Sequence, residues 1–217
     1  MKLYHAIIAC ERDIGLADWH VANASRALEA IGQKDCQRCL YFGIPPDGRD
    51  RLQTEHDMSH ATVDTHVVPF LDTYENLPLK TYGMLQHALT LPGWTHVLKA
   101  DVNSYPSRLD AMAIVQHHLT GFYANTPPGR DNHVPKVLQR GLGEAYPGDL
   151  PNEWVGGPAY VISRLLVMQV VDRGAWYARG WPWEDVMVSK VAEECGCPAR
   201  PGVGYWTDGN EWHNEHV

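Results

Sequence analysis

Short apolar runs and helix-spaced apolar runs alternate along the first half of the chain. Four short runs predict strands, at residues 3–10, 37–44, 65–70 and 95–101. Helical spacing predicts helices over 17–32 and 75–91; the first ends at Gly32, and the second has Pro78 near its start, where proline is tolerated. This order predicts an α/β fold, with a mainly parallel sheet covered by helices on both faces.

The second half of the chain is richer in turn-forming residues. Ten of the 31 residues in 121–151 are glycine or proline, which predicts a long loop or flap. Residues 157–174 predict a strand that turns into a helix, and 181–196 predict a further helix. We expect the tail, 200–217, to be irregular. A length of 217 residues suits one domain over 1–217.

Charged residues follow the first and the fourth predicted strands. Asp101 and Asn103 end the apolar fourth strand, and Pro106 predicts a turn. The charged residues 11–13 follow the first strand. Because ligands of open α/β sheets bind beyond the carboxyl ends of the strands, we expect these two groups to line one pocket.

Two acidic motifs carry candidate chemistry, and each also has a purely structural explanation. Asp101 and Asn103 offer the oxygen ligands that Mg²⁺ or Mn²⁺ prefers, or they cap a turn. Glu184 and Asp185 open a predicted helix, where one acid could act as a general base or both could complement the helix dipole. The two side chains point in different directions on a helix, so at most one is expected to face a substrate.

Glycine, tryptophan and histidine supply further candidates. Gly157, in a double glycine, lets the backbone approach a ligand closely, or it makes a simple tight turn. Trp154 and Trp183 have flat aromatic faces that suit sugar rings, or they pack in the core. His213, near the end of the chain, is a candidate metal ligand or a surface histidine.

Charge and hydropathy exclude some classes of function. The formal net charge of −8 disfavours nonspecific nucleic-acid binding. The segment 129–140 has three basic residues and one acid, and it could meet phosphates or be an ordinary solvated loop. No run approaches the roughly 18 apolar residues of a membrane-spanning helix, so we expect no membrane partner and a soluble, cytoplasmic protein.

The order of these motifs resembles the inverting β-1,3-glycosyltransferases, the family that includes Fringe and the β-1,3-galactosyl- and N-acetylglucosaminyltransferases. The matching residues are Asp72, Tyr74, Asn76, Leu77, Lys80, Thr81, Lys99 and Asp101. Residues 156–164 resemble the family's glycine–tyrosine–serine strand, 183–196 its Glu-Asp-Val helix, and 211–216 its late histidine motif. The resemblance runs from about residue 37 to 216 with the spacing intact.

The resemblance implies a GT-A fold and a sugar transfer by single displacement with inversion. Residues 1–110 would form a Rossmann-like half that binds a nucleotide sugar, a UDP-sugar, and 111–217 a loop-rich half that binds the acceptor. Asp185 occupies the position of the catalytic base. The donor is expected to contact Asp13, Lys80, Asp101 and Gly157. The acceptor is expected to contact Trp154, Trp183 and Glu184.

The resemblance also implies a Mn²⁺ or Mg²⁺ ion, held by Asp101, Asn103 and His213. The family usually has three consecutive aspartates where this chain has Asp101, Val102 and Asn103. The last of the three is the usual metal ligand, and an asparagine there carries no charge. We therefore expect the metal to bind weakly or to be dispensable.

The acceptor remains open at this point. It is a hydroxyl group of a glycan, or of a hydroxymethylated pyrimidine in DNA, in a bacterial cytosol or a phage-infected cell. The replaced aspartates favour a second hypothesis, a non-catalytic module that binds nucleotide sugars or carbohydrate and has a decayed metal site.

Overall fold

A mainly parallel sheet forms the centre of the protein in a computed structural model, which describes residues 1–50, 52–54, 62–124, 151–181, 183–207 and 210–212. In chain order the strands are β1 (Leu3–Ile8), β2 (Gln37–Ile44), β3 (Asp64–Leu71), β4 (His96–Asp101), β5 (Ser104–Leu109), β6 (Leu119–Ala124), β7 (Trp154–Ser163), β8 (Arg200–Pro201), β9 (Val203–Thr207) and β10 (Asn210–Trp212). Seven of them form one sheet in the order β3-β2-β1-β4-β7-β6-β8. β7 is antiparallel to both of its neighbours, and the other pairings in this sheet are parallel.

Helices cover both faces of this sheet, as the sequence predicted. They are α1 (Ala17–Ala30), α2 (Leu77–Thr90), α3 (Ala111–Gln116), α4 (Arg164–Asp172), α5 (Gly174–Arg179) and α6 (Glu184–Glu194). α1 packs through Ala24 and Leu28 against one face, and α2, α4 and α6 bury apolar side chains against the other. All six residues of β1 are buried, which is typical of a central strand between two helical layers. The α/β prediction is therefore confirmed.

The chain reverses its direction of travel across the sheet at β1. It runs from β1 through α1 to β2 and β3 on one side, and then returns through α2 to β4 on the other side of β1. The carboxyl ends of β1 and β4 are adjacent in the sheet, and the segments that follow them line one crevice at the point where the strand order reverses.

Three predictions for irregular structure were wrong. The first concerns the loop or flap predicted over 121–151, whose residues 121–124 lie in β6 and pair with β7. Pro106 lies within β5, opposite Tyr205 of β9, instead of in a turn. β5 is an edge strand of the three-stranded sheet β10-β9-β5, with a register shift between Pro106 and Arg108, and proline is tolerated at edges and bulges. The tail predicted to be irregular contributes β8, β9 and β10, because its backbone pairs with β6 and β5.

Some predictions fall on residues that the structure does not describe. They concern His213, the segment 129–140, and residues 125–150 of the predicted flap. In the part of the chain that is described, no helix has both the length and the apolar character needed to cross a membrane.

A buried pair of histidines joins β1 to α1. His5 and His20 have no exposed surface, and their Nε2 atoms lie 3.1 Å apart. One Nε2 must donate a hydrogen bond and the other accept it, so both rings cannot be charged at once. Burial lowers the pKa of both imidazoles, that of His20 to about 4, and the pair is neutral at physiological pH.

We expect the free energy of unfolding to fall as the pH drops from about 6.5 towards 4. In this pH window the histidines of the unfolded chain become protonated, whereas His5 and His20 stay neutral in the folded protein. In the double variant His5→Leu/His20→Leu the fall should be smaller, on the order of 2 kcal/mol less for each histidine between pH 7 and pH 4.5. Urea unfolding at several pH values measures it, with His117→Leu as the control. Equal pH dependence in all three proteins would contradict a neutral buried pair.

Candidate functional site

A cavity of about 650 Å³ opens at the crevice between the carboxyl ends of β1 and β4. Its walls come from residues 8–13 after β1, residues 101–103 after β4, and Pro45 and Pro46 after β2. Tyr74, which is half exposed, lies at its edge. The pocket that the sequence predicted between these two strand ends is therefore present, and its volume is in the range of small-molecule sites.

Acidic side chains outnumber basic ones in this cavity. The acids are Glu11, Asp13, Asp72 and Asp101, and the bases are Arg12 and Lys80. An anionic ligand would therefore meet a net negative wall unless a cation accompanied it.

Lys80 anchors the floor of the cavity from α2. Its side chain is 3% exposed, and its Nζ donates to the carbonyl of Ala9 at 2.5 Å and to Oδ1 of Asp72 at 2.6 Å. The other oxygen of Asp72 accepts from the backbone N–H of Gly43 at 3.3 Å. Lys80 thus ties the end of β1 to the segment that follows β3, and two of its three N–H groups are used in doing so.

Asp13 also lines the cavity and is held by its own neighbours. Its carboxylate accepts a hydrogen bond from the thiol of Cys10 at 2.8 Å and one from Nε of Arg12 at 3.2 Å. Burial, and then the adjacent carboxylate, raise the pKa of the Cys10 thiol. This thiol therefore stays protonated and serves as a donor.

Lys99 of β4 lies behind the cavity wall and joins three elements of the fold. The side chain has no exposed surface. Its Nζ donates to Asp101 Oδ1 at 2.7 Å, to Glu184 Oε1 at 2.8 Å and to the carbonyl of Gly157 at 2.5 Å. Burial alone would lower the pKa of Lys99, but Asp101 and Glu184 raise it above its ordinary value, so the ammonium stays charged.

Asp185 lies in the first turn of α6, beside Glu184. Its Oδ1 accepts from the backbone N–H of Val186 at 2.8 Å. Burial, and next the charge of Glu184, raise the pKa of Asp185 to about 7. A carboxyl group with this pKa can accept a proton at neutral pH, which is the property required of a general base.

Asp101 is shared between the cavity and Lys99. It lines the cavity wall while one of its oxygens bonds the lysine. Burial raises its pKa, and the attraction of Lys99 offsets part of that effect. Burial raises the pKa of Tyr205, and the charges of Asp185 and Asp101 raise it further.

Gly157 of β7 allows the backbone to pass close to the acids of α6. A Cβ atom at this position would lie 3.2 Å from Asp185 Oδ2 and 3.3 Å from Glu184 Oε1. Gly157 lies within β7 and not in a tight turn, and its close approach is to the acids of α6; its approach to a ligand stays a prediction. The structure places it between Lys99 and α6, where its carbonyl bonds the lysine.

The predicted site residues fall into two connected groups and one separate group. Asp13, Lys80, Asp101 and Asn103 line the cavity together. Gly157, Glu184 and Asp185 gather behind it and are connected through Lys99. Trp154 and Trp183, predicted to contact an acceptor, are 7% and 6% exposed and belong to the core on the α2 and α6 face. Their large apolar rings pack there because α6 covers them.

The residues present suit a hard divalent cation only in part. Asp101 and Asn103 bring a carboxylate and an amide oxygen to the cavity wall, and such oxygens are preferred by Mg²⁺ and Mn²⁺. One carboxylate oxygen of Asp101 is already bonded to Lys99. Among the described residues no three His, Cys, Asp or Glu side chains form a metal-binding group. These donors alone would hold a cation weakly.

Sequence reasoning alone missed the role of two residues. Lys99 and Asp72 matched the family pattern, but nothing in their own surroundings indicated what they contact. A signal for Lys99 was available: it lies in an apolar strand, two residues before Asp101, so both side chains point to the same face. Its other partner, Glu184, is 85 residues away along the chain.

We expect Gly157→Ala to disturb the carboxylates of α6. The added methyl group must displace Asp185 and Glu184 by a few tenths of an ångström, and it should lower the free energy of unfolding by about 1 kcal/mol. It should also raise the pKa of Asp185 further, because it removes water from the carboxylate. Urea unfolding and an NMR titration of the Asp185 carboxyl carbon measure the two effects.

Gly156→Ala is the matched control for this substitution. A Cβ atom there would make ordinary contacts with Phe122 at 3.4 Å and beyond. Its stability should be unchanged or slightly higher, since alanine restricts the unfolded chain more than glycine does. Equal effects of the two substitutions would show that Gly157 does not press on the acids.

Comparison with known proteins adds no relative to this picture. No protein-family model matches the chain, and no curated protein matches it significantly. Function must therefore be inferred from the geometry of the site and from the motifs of the sequence.

Proposed function

We propose that the protein is an inverting glycosyltransferase of the GT-A type, which moves a sugar from a nucleotide-diphosphate sugar, a UDP-sugar, to a hydroxyl group. One observation carries the proposal. The carboxylate at the tip of β4 and that of Glu184, which directly precedes Asp185 at the start of α6, converge on a single buried ammonium, that of Lys99, at the edge of a cavity large enough for a nucleotide. The order of motifs in the sequence supports the same assignment.

The cavity would hold the nucleotide diphosphate of the donor. Arg12 and Lys80 supply positive charge on its walls, and Asp101 with Asn103 would hold a Mn²⁺ or Mg²⁺ ion. When bound, such an ion neutralises the charge that develops on the departing diphosphate. The excess of acids in the cavity favours a donor that binds together with a cation.

Asp185 would take the proton in a single displacement. The acceptor oxygen forms a bond to the anomeric carbon as the bond from that carbon to the diphosphate breaks. The hydroxyl proton passes to the Asp185 carboxylate, and the electron pair of the broken bond leaves with the diphosphate. Attack from the side opposite the leaving group inverts the anomeric carbon.

The identity of the acceptor is predicted from the sequence alone. It is either a glycan hydroxyl or a hydroxymethylated pyrimidine in DNA. The basic segment 129–140, which motivates the DNA alternative, lies outside the described residues. A steep loss of acceptor binding with salt would distinguish DNA from a glycan.

A specific observation also favours the second candidate, a module that binds a nucleotide sugar without turning it over. One oxygen of Asp101 is committed to Lys99, and Asn103 has no charge, so a cation would be held less firmly than by two free carboxylates. In that case the cavity would bind its ligand and the acids of α6 would do no chemistry.

Incubation with a panel of nucleotide sugars, each with Mn²⁺ and with a chelator, separates the two candidates. We expect slow release of the free nucleotide diphosphate from one donor, with water as the acceptor, because a base lies beside the cavity. Thermal stabilisation by a donor without turnover would instead favour the binding module. Neither stabilisation nor turnover with any donor would contradict both.

Asp185→Asn should reduce transfer by about 10²–10⁴-fold and leave nucleotide affinity within a few-fold, since the base acts only on the acceptor. In the wild-type protein kcat/KM should rise with pH through about 7 and then level off, because only the ionised carboxylate accepts a proton. Asp172→Asn, on the exposed end of α4, is the matched control and should leave both quantities unchanged. Near-normal turnover in Asp185→Asn would remove Asp185 from the mechanism.

A further inference from the structure

Lys99 uses each of its three N–H groups on a different element. The partners are a carboxylate at the end of β4, a carbonyl of β7 and a carboxylate of α6. The aromatic ring of Tyr160, on β7, lies 5.4 Å from the ammonium and adds a fourth contact. Because the ammonium has no access to water, all its interactions are with fixed groups of the protein.

These contacts connect the cavity to the acid that would act as base. Asp101 faces the cavity and also bonds Lys99. Glu184 bonds the same ammonium and directly precedes Asp185 in the first turn of α6. Gly157 lies against both acids and gives its carbonyl to Lys99. A single side chain therefore links the cavity wall to the residue that precedes Asp185 and to the backbone that packs against Asp185.

We propose that Lys99 is a positioning residue, which holds the carboxylate of Asp185 at a fixed position relative to a donor bound in the cavity; this inference rests on the proposed function. Lys99 does not line the cavity, so it touches neither donor nor acceptor. It acts through Asp101, Gly157 and Glu184. An error of about 1 Å in the place of a catalytic group is enough to cost about 10²-fold in rate.

Removing Lys99 alone is not a clean test. Glu184 is 3% exposed, and without its partner it would be a buried charge with no compensation, which threatens folding. The variant Lys99→Met/Glu184→Gln removes one positive and one negative charge while preserving volume. Asp101 then loses a partner, but about a third of its side chain is exposed, so water can solvate it.

A second, partly exposed ion pair on the same helix provides the matched control. Lys190 and Glu193 of α6 form an ion pair at 3.1 Å, away from the cavity. The variant Lys190→Met/Glu193→Gln makes the same chemical changes as the test variant. A third protein, Glu184→Gln, keeps an oxygen available to Lys99 and leaves the lysine in place.

Two readouts test the proposal, the first being kinetics with the donor that the panel identifies. In folded Lys99→Met/Glu184→Gln we expect kcat to fall about 100-fold, while KM for the donor changes by less than about threefold. The control pair should retain full activity, and Glu184→Gln should lose less than about tenfold. An unchanged kcat, a rise in KM instead, or an equal loss in Glu184→Gln alone would overturn the proposal.

The second readout needs no turnover. The amide of Val186 donates to Asp185 Oδ1, so its NMR resonance reports where that carboxylate lies. We expect this resonance to move further in Lys99→Met/Glu184→Gln than in Glu184→Gln alone, and to stay in place in the control pair. If no nucleotide sugar is used by the wild-type protein, the proposed function fails while this measurement still tests positioning. A resonance that does not move would overturn the role of Lys99 whether or not the enzyme is active.

Discussion

The site depends on two buried ammonium groups placed on either side of the point where the strand order reverses. Lys80 bonds the carbonyl of Ala9 at the end of β1 and the carboxylate of Asp72 after β3. Lys99 bonds the groups at the meeting point of β4, β7 and α6. Each lysine satisfies several backbone and carboxylate oxygens that would otherwise be buried without a partner.

Buried ion pairs of this kind contribute little net stability to a sheet. An ion pair inside a protein can often be replaced by apolar residues with no loss of stability, whereas removing one partner costs about 3–5 kcal/mol. The acids beside Lys99 add a further cost, since the pKa of Asp185 is raised to about 7. Its carboxylate therefore destabilises the fold increasingly as the pH rises from its unfolded value through 7. Stability alone gives no reason for this arrangement, but a proton-accepting group does.

Local sequence patterns predicted the sheet and the cavity. They did not predict the Lys99–Glu184 bond or the β5–β9 pairing, which depend on contacts between distant parts of the chain. β2 was predicted at its observed bounds, and α1 within two residues, because their apolar spacing and end signals are local. The cavity followed from charged residues after two strands, since parallel strands end at one edge. The bond from Lys99 to Glu184 spans 85 residues, and no local pattern encodes it. Pro106 and the tail were misassigned because the β5–β9 pairing, between segments about 100 residues apart, overrides their turn-like composition.

The acids of α6, and not the charge of the cavity, bear on the choice between the proposed enzyme and a passive binding module. The excess of acids in the cavity does not separate the two, because both would bind the same anionic nucleotide there. A passive module would gain stability from a neutral residue in place of Asp185, since the carboxylate lies against Gly157 and the first turn of α6 and contributes no cavity wall. A half-buried carboxyl group with a pKa near 7, linked through Lys99 to the tip of β4, has a physical use if a proton must be removed beside the cavity. Retaining that acid at a cost to folding is therefore the strongest physical argument for chemistry at this site.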